Sequence, residues 1–312
     1  MYIKSFKQLH KKSAFEAGGK GSSLGEMTNA KILVPSGFVV LALAFDRFCE
    51  ETDLDVEIES ALKKVNHKDI NLVEKASENI RALIQREKIP KDIATDIIKN
   101  FRSLKSKFVA VRSSATAEDS SSAAWAGQLE TYLNTTEKDV LKNVQKCWSS
   151  LFTPRAIFYR IEKKMHKDKV SVAVVVQTMV QSEISGICFT VHPVTKDRNQ
   201  MVIEAGFGLG EAIVSGSVTP DTYVVHKDDF SILDINVSEQ SFYLKLNPKG
   251  GLIRANMPIS KLHGQKLTGK QIVELAKICK NIEKHYKFPC DIEWAYVGGK
   301  FYITQSRPIT TL

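Results

Sequence analysis

The chain has 312 residues, 43% apolar and 25% charged, enough for a large core and more than one lobe. That composition excludes a disordered, collagen-like or membrane-embedded protein. The net charge of +9, from 44 basic and 35 acidic residues, suits an anionic partner, but the excess is scattered lysine without an RNA-binding aromatic motif, zinc finger or basic helix, which argues against nucleic acid.

In chain order, the first third reads as mixed helix and strand. The stretch 18-GGKGSSLGEM-27 predicts a glycine-rich turn leading into a helix, and Pro35 and Gly37 introduce the apolar run 38-FVVLALAF-45. Residues 55–105 carry helical periodicity, with Ile80, Leu83 and Ile84 followed by Ile93, Ile97 and Ile98, and Pro90 between two helices. From Phe108 onward the pattern turns to strands: FVAVRSS, LETYLN, VSVAVVVQTMV, SGICFTVHP, MVIEAGFG and DTYVVH are β-branched or aromatic runs bounded by Gly, Pro or polar clusters. A helix is expected across 137–152 and another over 268–286, with Thr268 as its N-cap. The hairpin 291-DIEWAYVGGKFYITQSRP-308 closes the chain. Strands in the middle with helices around them make an α/β or α+β protein with two lobes. No apolar run is long enough to span a bilayer, and MYIKSFKQLHKKSAF lacks a signal-peptide core, so a cytoplasmic location with no membrane partner is expected.

Five cysteines (Cys49, Cys147, Cys188, Cys279 and Cys290) stand singly, which suits buried small hydrophobes and neither a disulfide framework nor a zinc site. The glycines around Lys20 fail as a Walker A loop, because Ala14 and Gly21 occupy its first glycine and its Ser/Thr position. The run 206-GFGLG-210 misses GxGxxG because Glu211 stands at the last glycine. Each of these two loops fits a helix cap or a tight turn as well as a nucleotide loop.

Charged residues inside apolar strands carry more information. Arg112 ends FVAVR, Glu204 interrupts MVIEAGF, Glu293 interrupts DIEWAY, and Gln305 and Arg307 follow FYIT. Such charges need partners or a polar cleft. They are either structural ion pairs at sheet edges or one cleft holding cations for phosphate and oxygens for Mg²⁺. The hairpin distinguishes two registers. A two-residue Gly298-Gly299 turn pairs Val297 with Lys300 and separates Glu293 from Gln305. A three-residue loop over 297–299 pairs Tyr296 with Lys300 and Asp291 with Gln305, gathering Asp291, Glu293, Gln305 and Arg307 on one face. The three-residue loop is therefore expected.

GGKGSSLGEM, VRSSATAEDSSSAAWAGQLETYLN, CWSSLFTPRAIFYR, VVVQTMV, SGICFTVHPVT, IEAGFGLGEAIVSGSVTPD and DIEWAYVGGKFYITQSRPIT follow one another in order. Together they resemble the N-terminal ATP-binding domain of the phosphoenolpyruvate synthase and pyruvate phosphate dikinase family, a domain shared by rifampin phosphotransferase. The resemblance covers essentially the whole chain. It implies an α+β protein of ATP-grasp fold, with lobes at residues 1–180 and 181–312 and nucleotide in the cleft between them. The implied activity is that of an ATP-dependent phosphotransferase of the pyruvate, water dikinase type, using ATP and Mg²⁺.

Carried over by motif, Lys20 and Arg112 would hold phosphates, with Thr131 nearby and the loop 113–127 covering them. Gln177 and the backbone of Met179 and Val180 would receive adenine, and Glu183 the ribose hydroxyls. Glu293 and Gln305 would hold Mg²⁺, and Arg307 would stabilise charge on the transferring group. Lys20, Arg112 and Arg307 are thus the catalytic candidates. Glu204 would orient the glycine-rich 206–211, and His192 is structural because it matches no carrier motif. Family enzymes convert ATP to AMP and phosphate, passing the β-phosphoryl group to a histidine on a swivelling domain and from there to pyruvate or the antibiotic. The sequence ends at QSRPITTL, so neither a phosphohistidine carrier nor a pyruvate-binding domain is expected within it, and the carrier histidine would come from another polypeptide. A rifampin phosphotransferase domain and a nucleotide-binding module without turnover are the alternatives.

Overall fold

A computed structural model of the chain describes residues 1–63, 65, 69–116, 130–162 and 171–310. The chain divides into two units, Met1–Asn29 with Ser36–Met179, and Ala30–Pro35 with Val180–Leu312. The phosphate-covering loop expected at 113–127 falls outside the described residues from position 117 on.

The first unit contains β1 (Ile3–Ser5), α1 (Ala14–Asn29), β2 (Gly37–Val40), α2 (Ala42–Glu51), α3 (Leu54–Lys63), α4 (Ile70–Arg86), α5 (Lys91–Ser103), β3 (Val109–Ala115), β4 (Thr131–Thr135), α6 (Val140–Ser149), α7 (Pro154–Glu162) and β5 (Val172–Thr178). Its strands form an antiparallel sheet in the order β1-β2-β5-β3-β4. Alternation sorts the faces. Val109, Val111 and Ala115 of β3 and Val172, Val174 and Val176 of β5 enter a core with Phe48, Ile80, Ile84 and Trp148. Trp148 stacks on Phe48 with ring centroids 5.0 Å apart. The opposite face, with Ala110, Arg112 and Ser114, meets α1.

That contact narrows the expected turn at GGKGSSLGEM to its first residue. Gly18 (φ 67°, ψ 173°) is non-helical and kinks α1, and the residues after it are helical. A Cβ at Gly18 would lie 2.4 Å from the Ser114 carbonyl oxygen, so close packing on β3 and a positive φ both select glycine there. The run 38-FVVLALAF-45 likewise divides between β2 and α2.

The second unit contains β6 (Ile184–Phe189), β7 (Gln200–Phe207), α8 (Glu211–Val214), β8 (Asp221–His226), β9 (Ile232–Asn236), β10 (Phe242–Leu246), β11 (Leu252–Asn256), α9 (Gly269–Tyr286), β12 (Cys290–Val297) and β13 (Lys300–Pro308). Six strands form an antiparallel sheet, β13-β12-β6-β7-β8-β9, and β10 pairs with β11 separately. Helix α9 starts at the expected Thr268 cap: Oγ1 accepts from Gln271 N–H at 3.4 Å, and the Gln271 side chain accepts from Thr268 N–H at 2.8 Å. The helix covers the face that carries Cys188, Ile203 and Ile292. All five cysteines are free and buried. Among the described residues no helix is long and apolar enough to cross a membrane.

The hairpin corrects the expected register. The turn is the two-residue one, with Val297 opposite Lys300 and positive φ at Gly298 (56°) and Gly299 (75°). The three-residue loop would have moved Phe301 and Ile303 off the core side. They are instead 3% and 1% exposed, with Phe301 packed edge-on against Trp294. A β-bulge then changes the register: Trp294 pairs with Ile303 but Glu293 with Gln305, leaving Thr304 as the extra residue. Asp291 therefore faces Arg307, not Gln305, and the four polar residues still share one face. The shared face was foreseen for a wrong reason, since the sequence carries no mark of the bulge.

Candidate functional site

In the first unit, strand register brings together three of the expected residues, and helix α1 adds a fourth. Arg112 of β3 is directly opposite Thr131 of β4 and Val175 of β5, and Ala110 one step along is opposite Gln177. Opposed and alternate residues share a face, so Arg112, Thr131 and Gln177 lie on the α1 side of the sheet. Lys20 of α1 is half-buried beside them, and the next residue, Gly21, donates its N–H to Ser114 Oγ at 3.4 Å. Burial pushes the Cys147 thiol up to about 12, the Ser113 hydrogen bond opposes that shift, and Lys20 opposes it electrostatically. Gln177 is 3% exposed, and its Nε2 has no hydrogen-bond partner among the described residues, a vacancy that a ligand's acceptor would fill.

The edge expected to receive adenine is only partly available. Met179 N–H donates to the Phe108 carbonyl at 3.1 Å, so this backbone donor is already spent. Val180 opens the main segment of the second unit, half-buried. Glu183 is exposed and held at the turn end of β12: its N–H donates to the Tyr296 carbonyl at 2.9 Å, and its Oε1 accepts from Gly298 N–H at 3.3 Å. The structure therefore joins Glu183 to the glycine turn and not to the polar pairs farther along the hairpin.

In the second unit, Gln305 Nε2 donates to Glu293 Oε1 at 2.9 Å. One pair further, the Arg307 guanidinium grips Asp291 Oδ2 through Nε at 2.8 Å and Nη2 at 2.7 Å. Asp291 is 8% exposed, and its Oδ1 has no hydrogen-bond partner among the described residues. Burial raises the Asp291 carboxyl above its ordinary range, and Arg307 opposes the rise. The row extends across the sheet from Gln305 and Glu293 through Ile187 to Glu204 of β7, Thr222 and Asn236. Sequence reasoning noted the Asp291–Glu293 alternation but left Asp291 out of the site. Its role as the anchor of Arg307 emerges only with the register.

These groups fit a hard cation that takes few protein ligands. Among the described residues no three His, Cys, Asp or Glu could hold a metal alone. Mg²⁺ commonly uses one or two protein oxygens with waters and phosphates, and a Glu293 carboxylate beside a Gln305 amide oxygen, with the Asp291 oxygen nearby, matches that pattern. His192 has no place in this chemistry. Its Nδ1 accepts from the N–H groups of Val194 and Thr195 at 3.3 and 3.2 Å and so shapes a turn.

Glu204 gives a pH-dependent prediction. Burial raises its carboxyl above the usual carboxylate range, and Asp291 raises it further. In the unfolded chain the same group loses its proton at lower pH, so across the window just above the ordinary range the folded chain holds more protons. Its contribution to stability is complete below the unfolded value and is lost as pH rises through the folded one. Glu204→Gln is therefore expected to melt a few degrees above the wild type at pH 8 and level with it at pH 4, read by thermal unfolding at both. Equal melting temperatures at pH 8 would show that the carboxylate ionises there without cost.

Comparison with known proteins places the chain as a whole among relatives. The family model described as "Pyruvate phosphate dikinase, AMP/ATP-binding domain" matches residues 15–312. A probable phosphoenolpyruvate synthase of Methanocaldococcus jannaschii is 46% identical over the whole chain, which covers 27% of that protein. A phosphoenolpyruvate synthase of Pyrococcus furiosus is 40% identical over the whole chain, covering 44% of it. A rifampicin phosphotransferase of Bacillus cereus is 38% identical over the whole chain, covering 36% of it. The chain thus spans less than half the length of each of these relatives.

Proposed function

The chain belongs to the pyruvate phosphate dikinase AMP/ATP-binding domain family, and from that premise we propose that it binds Mg·ATP in the manner of the ATP-grasp fold. In this reading the β-phosphoryl group passes to a histidine on a carrier domain and the γ-phosphoryl group to water, yielding AMP and phosphate in the cytoplasm. The observation that carries the reading is that each unit gathers its own set of polar groups. In the first, Arg112 and Thr131 share one sheet face and Lys20 lies on the helix against it; in the second, Glu293, Gln305 and Arg307 share one face. Guanidinium and ammonium groups suit phosphate oxygens, and Gln177 offers a buried amide to the nucleotide. Glu293 and Gln305 would hold Mg²⁺, which when bound neutralises charge on the phosphates. Met179, Val180 and Glu183 would receive the base and ribose. The final acceptor is pyruvate, as the phosphoenolpyruvate synthase relatives suggest. Rifampicin is the second reading, favoured by the 38% identity to a phosphotransferase of that name.

Titration calorimetry tests the reading. The wild-type chain is expected to bind Mg·ATP saturably, and Lys20→Ala to bind it roughly tenfold or more weakly while remaining folded. When a phosphohistidine carrier domain of a relative is added, AMP and phosphohistidine should appear together. Saturable binding without AMP would leave a nucleotide-binding module, and no binding by a folded wild type would remove the proposal.

A further inference from the structure

Gln240 lies outside every motif in the sequence, yet it is 1% exposed and its side chain is almost fully used. Its amide imitates a neighbouring strand. Oε1 accepts from Phe207 N–H at 2.8 Å, and Nε2 donates to the Phe207 and Phe242 carbonyls, each at 2.9 Å. Phe207 ends β7 inside the glycine-rich 206–210. The following residue, Gly208, donates its N–H to the Glu183 carbonyl at 2.9 Å. Its own carbonyl accepts from Ser182 Oγ at 2.9 Å and Ser185 Oγ at 2.6 Å. Leu209 N–H donates to the Leu244 carbonyl at 3.0 Å. The glycine-rich run that looked like a nucleotide loop has thus committed these backbone groups to protein partners.

The partners of Gly208 all lie in residues 182–185, where Glu183 is also held by Tyr296 and Gly298. We propose that Gln240 is a positioning residue for the segment Met179–Glu183, which carries the base candidates Met179 and Val180 and the ribose candidate Glu183, acting through Phe207 and Gly208 to set selectivity for the nucleoside and not affinity for its phosphates. The inference rests on the proposed reading of that segment as the adenine edge. A base is distinguished by hydrogen bonds of fixed direction, so displacing the segment removes selectivity. Of the phosphate and Mg²⁺ candidates, Lys20 and Arg112 belong to the first unit, and Glu293 of the second lies opposite Ile187, two residues beyond Ser185.

The test compares Mg·ATP, Mg·GTP and magnesium tripolyphosphate in titrations of the full chain. Gln240→Met, which keeps length and removes three hydrogen bonds, is expected to weaken Mg·ATP roughly tenfold and narrow the ATP-to-GTP ratio while leaving tripolyphosphate unchanged. The Ser182→Ala/Ser185→Ala double variant cuts the same chain of contacts at its other end, is expected to behave alike, and decides the question if Gln240→Met does not fold. ATP and tripolyphosphate weakening together, or an unchanged ATP-to-GTP ratio in the folded variants, overturns the role of Gln240 and leaves ATP binding standing. A wild type that binds tripolyphosphate but does not prefer ATP to GTP overturns the base-reading segment and this inference with it. A wild type that binds none of the three overturns the proposed function as well.

Discussion

Lys266→Met is expected to destabilise the second unit by about 3–5 kcal/mol, the cost of leaving one member of a buried ion pair without the other. Lys266 Nζ lies 2.7 Å from Asp221 Oδ1, and both side chains are wholly inaccessible. Nothing in the sequence distinguishes this lysine from the many on the surface. The structure shows why it is buried: Asp221, at the first position of β8, gathers groups from three parts of the unit. Its oxygens accept from Ser238 N–H at 2.9 Å, Lys266 N–H at 2.8 Å and the Tyr223 hydroxyl at 2.7 Å, and Tyr223 in turn accepts from Leu267 N–H at 3.1 Å. Lys266 also donates to the Ser238 carbonyl. The knot therefore fastens β8, the connection after β9 and the approach to α9.

Replacing both charges with apolar residues is not expected to restore stability, although that exchange is often neutral for an isolated pair. Here removal of Asp221 would also orphan the N–H groups of Ser238 and Lys266 and the Tyr223 hydroxyl. Hydrogen exchange of β8 and α9 amides under increasing urea isolates the second unit from the first. A loss below 1 kcal/mol for Lys266→Met would mean that Asp221 keeps its charge solvated by the remaining donors alone. The knot also lies two residues from Gln240, so the same variant should loosen the 206–210 run and lower protection at Gly208.

The difference between Lys266 and Arg112 shows what was legible in the sequence. Arg112 announces itself because it ends an apolar strand, where a charge has few innocent explanations. The strands containing Gln177, Glu204 and Glu293 were readable on the same ground, as was the Thr268 cap of α9. Elements decided by tertiary contact were not. The glycines at 18–25 read as a turn leading into a helix; the break is confined to Gly18, where packing against Ser114 demands glycine, and the residues after it are helical. The hairpin turn followed the demand of Phe301 and Ile303 for the core, and the bulge at Thr304 repaired the polar face afterwards. Partners far apart in sequence, such as Asp221 with Lys266 or Gln240 with Phe207, leave no periodic signal at all.

Arg307→Ala is expected to lower AMP formation about 10³-fold or more in the presence of a phosphohistidine carrier, the scale on which an arginine at a transferring phosphoryl group acts. The affinity for Mg·ATP should fall far less, by about tenfold, because charge on the transferring group grows only as the transition state forms. The geometry makes this division specific. Asp291 grips the guanidinium through Nε and Nη2, fixing its plane, while the side chain remains 48% exposed at the sheet edge. A guanidinium whose plane is fixed in this way is preorganised for a phosphoryl group. Lysine supplies the charge but not the fork, so Arg307→Lys is expected to recover binding and little of the rate. Asp291→Asn should occupy the middle ground: the arginine keeps its charge, loses its ionic anchor and slows transfer while binding stays near that of the wild type. Single-turnover AMP release alongside calorimetric affinity separates these effects, once each variant is shown to be folded. If Arg307→Ala loses affinity while the rate at saturating Mg·ATP is unchanged, Arg307 holds ATP in its ground state and the charge of the transferring group is stabilised elsewhere.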